Sequence, residues 1–95
     1  MNSLKARFTP ESARLVSKLH PDAKKCVKEA IEQIREEPFS GHELQDDLSG
    51  FRSYKSKRYR IVYRVNENEK TIEVYHVGHR RDVYEQFRRL LARIT

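Results

Sequence analysis

Apolar residues recur along this chain with two different periods, and the switch between them marks out its elements. From Arg58 to Val65 the period is two. Tyr59, Ile61, Tyr63 and Val65 share one side of an extended strand, and Arg58, Arg60, Val62 and Arg64 share the other. One face can therefore enter a core while the opposite face presents a row of guanidinium groups. Thr71 to Val77 carries bulky residues on both sides and suits an interior strand. The polar stretch Asn66 to Lys70 joins the two as a hairpin. Gly78 is expected to break the second strand and to deliver His79, Arg80, Arg81 and Tyr84 beside its end. Leu4 to Phe8 alternates more briefly and makes a first strand. Phe51 to Lys55 makes another, with Arg52 and Tyr54 on one face and Phe51, Ser53 and Lys55 on the other. Ser56-Lys57-Arg58 turns it into the arginine-bearing strand.

Elsewhere the spacing is helical. Thr9-Pro10-Glu11 supplies a hydroxyl cap, a proline at the first helical position and an acid in the first turn. Ala13, Val16, Leu15 and Leu19 give that helix an apolar side. His20-Pro21 interrupts it, because the residue before a proline leaves the helical region, and Pro21 opens the next helix. There Ala23, Val27, Ala30, Ile31 and Ile34 form a stripe, with Lys25–Glu29 and Lys28–Glu32 pairs on the solvated sides, until Pro38 ends it. Phe39 to Gly50 reads as a loop anchored by Leu44 and Leu48. Asp82-Val83-Tyr84-Glu85 matches a capping box, and Val83, Phe87, Leu90, Leu91 and Ile94 follow as the stripe of a terminal helix.

The predicted order is β-α-α-β-β-β-α: an α+β fold with a four-stranded, mainly antiparallel sheet. Two N-terminal helices cover one face and a C-terminal helix follows the last strand. Residues 1–95 make a single domain, and a chain this short buries only roughly 60–65% of its unfolded surface, so its core is thin.

Charge changes the picture. Residues 51–95 carry 12 Lys/Arg against 5 Asp/Glu, whereas residues 1–50 carry 8 against 9. The positive field thus belongs to the strand half and the terminal helix, and points to phosphate or an acidic protein as partner. The single cysteine, Cys26, excludes an intramolecular disulfide; it reads as buried filler in a reducing cytoplasm. No apolar run is long enough to span a membrane and no leader is visible, so neither a membrane nor export is expected. Glu43, Asp46 and Asp47 lie close together, but without a histidine at ligand spacing they do not make a metal site.

Three stretches in combination resemble the RelE/ParE superfamily of toxin–antitoxin toxins: L-x-G-F-R at Leu48 to Arg52, Y-R-I-V-Y-R-V at Tyr59 to Val65, and V-G-H-R-R-D-V-Y at Val77 to Tyr84. The P-x-x-G break at Pro38 to Gly41 also fits. The V-G-x-R-x-x-V-Y ending is more similar to the RelE branch than to the gyrase-poisoning ParE branch. That resemblance implies an endoribonuclease that cuts mRNA in the ribosomal A site, in contact with 16S rRNA, without metal or other cofactor. The substrate's own 2′-hydroxyl attacks phosphorus, leaving a 2′,3′-cyclic phosphate. It also implies a cytoplasmic protein silenced by a RelB-like antitoxin, which reaches operator DNA only as part of that complex.

The family's catalytic positions correspond to Arg60, Arg80 and Tyr84. Two lysines of its best-known member fall where this chain has Arg52 and Tyr54, with Lys55, Lys57 and Arg58 close by. These five, together with Arg64 and Arg81, are the expected RNA contacts. Guanidinium forks suit the doubly charged phosphorane. Tyr84 is a candidate base, since neighbouring cations favour phenolate, and His79 is a second candidate for acid or base. Adjacent strand residues point apart, which sets His79 and Arg80 on different sides. Without the resemblance, Tyr84 packs at a helix edge, and Arg60 and Arg64 are solvated sheet surface. A ParE-like gyrase inhibitor, or an inactive relative that only binds antitoxin, is the alternative function.

Overall fold

The computed structural model describes residues 3–94, with the side chain of Ile94 outside the described set. Strand β1 (Lys5–Phe8) leads into helices α1 (Pro10–Ser17) and α2 (Pro21–Glu36). Then come β2 (His42–Glu43), a 3-10 turn at Asp46–Leu48, β3 (Arg52–Ser56), β4 (Tyr59–Asn66), β5 (Thr71–His79) and helix α3 (Val83–Ile94). The sheet runs β1-β5-β4-β3-β2, with β1 parallel to β5 and every other pair antiparallel. Among the described residues no helix is long and apolar enough to cross a membrane.

The helix starts form as their caps dictate. Thr9 Oγ1 accepts from Ser12 N at 3.1 Å, and His20 Nδ1 accepts from Asp22 N at 3.2 Å, each just before a proline. α2 buries Val27, Ala30, Ile31 and Ile34 against Ile61, Tyr63, Ile72, Val74 and Val77 on one sheet face. The other face is closed by α3, whose Val83 and Phe87 meet Phe51, Val62 and Leu48. The two faces follow the alternation along β4, as the strand pattern requires.

Five features depart from the expected fold. The sheet has five strands, and its parallel β1–β5 edge makes it mixed. The extra strand, β2, sits in the segment expected to be loop; His42 and Glu43 carry no β-branched signal, and tertiary bonds hold them extended. Gly78 lies within β5 opposite Arg60, and a Cβ there would come within 3.2 Å of Val83 Cγ2. Glycine at that point admits α3 to the sheet; the strand runs through it. α1 turns Ser12 inward, not Ala13, because the Ser12 hydroxyl donates to Val74 O at 2.8 Å. Cys26 is half-buried on the flank of α2, outside the main core.

A bulge shapes the face under α3. Val62 pairs with His76 and Tyr63 with Val74, which leaves Tyr75 as the additional residue. Tyr75 and His76 consequently both reach Phe87, at 6.4 and 5.9 Å between ring centroids. Both are packing residues. His76 is 5% exposed, and its burial holds the imidazole pKa below the ordinary value, partly offset by Gln86 and Glu11.

Candidate nucleic-acid interface

The geometry starts from strand pairing. Ser53 pairs with Val62, and Lys55 with Arg60, so these four share the α3 side of the sheet. Arg60 also lies opposite Gly78 of β5. The N–H of Arg80 donates to the carbonyl of Arg58 at 2.8 Å, tying the turn after β5 to the β3–β4 loop. That bond gathers Lys57, Arg58, Arg80 and Arg81 at the sheet end beside Arg60. Lys57 takes a left-handed backbone conformation, φ 54°, to close the loop in two residues. From the first turn of α3, Tyr84 reaches across β4 and donates its hydroxyl to Ser53 Oγ at 3.0 Å. Arg60 and Tyr84 thus belong to one face of the sheet, and the backbone of Arg80 is tied to the loop from which the Arg60 strand starts.

The expected contacts separate into two groups. Lys55, Lys57, Arg58, Arg60, Arg80 and Arg81 form no ion pair among the described residues, whereas the arginines around them are occupied. Arg64 pairs with Glu73 at 3.7 Å and stacks over Phe51 and Tyr75, 5.5 and 5.4 Å from their centroids. Arg52 donates to Gly41 O at 2.8 Å and to Phe39 O at 3.2 Å, and lies over the Phe39 ring. Both arginines act as internal braces. Tyr54 packs half-buried on the α2 side. His79 also falls on that side, paired with Tyr59 and edge-on to its ring at 6.0 Å, while its Nδ1 accepts from Arg81 N. The structure therefore does not bring His79, Arg52 or Arg64 to Arg60, whereas Tyr54, though packed on the α2 side, shares a hollow with it.

A hollow of about 430 Å³ opens where β2 ends and the edge of β3 is left bare, lined by Ser40, Gly41, His42, Ser53, Tyr54, Lys55 and Arg60. Its side chains include two cations and no carboxylate, which suits an anion. A hollow of about 510 Å³ on the α2 side also reaches Lys55 and Lys57, but there Glu29 and Glu32 offset their charge. Ser53 and His42 were not foreseen from the sequence. With residues 39–50 taken as loop, no face could be assigned to His42, and Ser53 shows its role only through Tyr84.

One clamp sets the rim of the hollow. The Tyr63 hydroxyl, fully buried, donates to Pro38 O at 2.6 Å and accepts from Gly41 N at 3.0 Å. A Cβ at Gly41 would lie 2.3 Å from that oxygen, so only glycine fits. Desolvation raises the Tyr63 pKa above its usual value, which keeps the hydroxyl a donor. Among the loop acids, Asp47 accepts from Arg88 Nε at 2.9 Å and so fastens the loop to α3.

Comparison with known proteins bears on this arrangement. A family model described as ParE-like toxin of type II bacterial toxin–antitoxin system matches residues 7–88. Toxin RelG of Mycobacterium tuberculosis is 33% identical over 82 residues, which cover 84% of this chain and 94% of that protein. The toxin–antitoxin complex RelBE2 of Mycobacterium tuberculosis contains a chain that superposes with TM-score 0.76 at 31% identity, over 82% of this chain and 99% of that one. The isolated Escherichia coli RelE toxin superposes with TM-score 0.71 at 22% identity, over 98% and 100%, a likeness of fold.

Proposed function

The chain belongs to the ParE-like toxin family of type II bacterial toxin–antitoxin systems, and on that premise we propose that it is a metal-independent endoribonuclease that cuts mRNA in the ribosomal A site. The observation that carries this reading is the set of unpaired cations around Arg60, on the sheet face that Tyr84 overhangs. Cleavage by 2′-hydroxyl attack needs a proton removed, a doubly charged phosphorane stabilised and the leaving oxygen protonated. Arg60 and Lys55 hold the scissile phosphate in the hollow. Arg80 closes on it from the β5 end, and its guanidinium serves as charge, since arginine stays protonated. The Tyr84 hydroxyl, already a donor towards Ser53, turns to the bound nucleotide. Lys57, Arg58 and Arg81 neutralise flanking phosphates, a screened and salt-dependent attraction.

A cognate RelB-like antitoxin silences the toxin. Solved relatives are complexes of toxin with antitoxin, and an acidic, partly helical segment would cover the basic end or displace α3, whose Leu90 and Leu91 are only half-buried. The test is incubation of purified toxin with ribosomes programmed with a short mRNA. The proposed reaction leaves a fragment ending in 2′,3′-cyclic phosphate and another beginning with 5′-hydroxyl. Intact mRNA with gyrase inhibited would establish the gyrase reading instead.

A further inference from the structure

The four histidines fall in four unlike places. His20 caps α2; His76 is buried beneath α3; His79 packs on Tyr59 on the other face. His42 alone lines the hollow of Lys55 and Arg60. It is the antiparallel partner of Ser53, so its side chain leaves the same face as Ser53, Lys55 and Arg60. The residues that flank the strand His42–Glu43 are held: Gly41 N by the buried Tyr63 hydroxyl, Gly41 O by Arg52, and Leu44 N by Phe51 O at 3.0 Å. An exposed imidazole is thereby presented on a fixed two-residue strand.

We propose that His42 is the general base of the cleavage reaction. The proposal rests on the nuclease reading and adds to it the group that takes the proton. Imidazole is the side chain that most often serves as a general base, and a candidate must lie within reach of the proton it abstracts; His42 lines the hollow that Lys55 and Arg60 share. No carboxylate lines the hollow to compete for the task. The neutral imidazole takes the proton of the 2′-hydroxyl, whose oxygen forms the bond to phosphorus. The bond from phosphorus to the 5′-oxygen breaks, and that oxygen keeps the electron pair and takes a proton from water. The hydroxide so formed removes the proton from the imidazolium, and His42 is neutral again. Arg60 and Lys55 hold the non-bridging oxygens throughout.

The experiment is single-turnover cleavage of mRNA on programmed ribosomes, with wild type, His42→Gln and His42→Ala, from about pH 5.5 to about pH 8.5. Wild type is expected to gain rate up to a break close to neutrality. Both variants should lose about 100-fold or more and lose that break. Their thermal melts and their binding to the programmed ribosome should be unchanged, since the side chain is exposed. Free imidazole should restore part of the rate to His42→Ala. Variants that cut at the wild-type rate, or that are slower but keep the break, overturn the proposal while leaving the nuclease reading intact. A wild-type protein that cuts no RNA at any pH overturns both.

Discussion

Replacing Tyr63 by Phe removes one oxygen and leaves the ring packing in place. Two bonds go with it: the donation to Pro38 O at 2.6 Å and the acceptance from Gly41 N at 3.0 Å. Gly41 is buried, so its N–H is left without an acceptor, at a cost of about 1–3 kcal/mol. Pro38 O is partly solvated and can turn to water, so that loss is about 0.5–1 kcal/mol. The sum is about 1.5–4 kcal/mol, which for a domain of this size lowers the melting temperature by about 6–30 °C. Urea unfolding should show the midpoint shifted with the slope retained. The raised pKa supplies a second signature. The folded state keeps the Tyr63 proton above the ordinary value, so this group's stabilisation is complete below about pH 10 and declines as pH rises further. Tyr63→Phe should therefore lose less stability than wild type between about pH 9 and about pH 11. A variant within about 0.5 kcal/mol of wild type, with the same alkaline decline, would refute the clamp.

Three further outcomes are expected. Burial lowers the folded pKa of His76, so its contribution is complete above about pH 6.5 and is lost as pH falls below that value, because the unfolded chain takes the proton first. Urea titrations at about pH 7.5 and about pH 5.5 should show a smaller difference for His76→Phe than for wild type. Gly78→Val should be destabilised by more than about 1 kcal/mol in thermal melts, since the side chain would meet Val83 and Gln86 of α3. Arg80→Ala and Tyr84→Phe should each abolish growth inhibition while antitoxin binding, measured by calorimetry, stays near normal; Tyr84→Phe also gives up the bond to Ser53, worth about 1 kcal/mol of stability.

The parts of this structure that the sequence revealed are those where one local signal acts alone. Thr9-Pro10 and His20-Pro21 start helices because cap and proline are contiguous, and Ile61 and Tyr63 alternate with Val62 because the first two pack on one layer and Val62 on the other. The same alternation put Arg60 on the open face and set His79 apart from it. What stayed hidden depends on distant partners. Ser12 is buried because Val74 O accepts its hydroxyl; β2 exists because Ser53, Tyr63 and Arg52 hold its surroundings. Gly78 resembled a strand breaker because the packing of α3 on it cannot be read from neighbouring residues. Arg52 and Arg64 resembled RNA contacts because charge alone does not show that a guanidinium is already spent on carbonyls or rings.

Primer extension on cellular mRNA after brief induction tests the nuclease assignment most directly, with Arg60→Ala as control. The account predicts new 5′ ends inside translated codons within minutes for wild type and none for Arg60→Ala. Intact message alongside DNA breaks, or equal cutting by the variant, would contradict it.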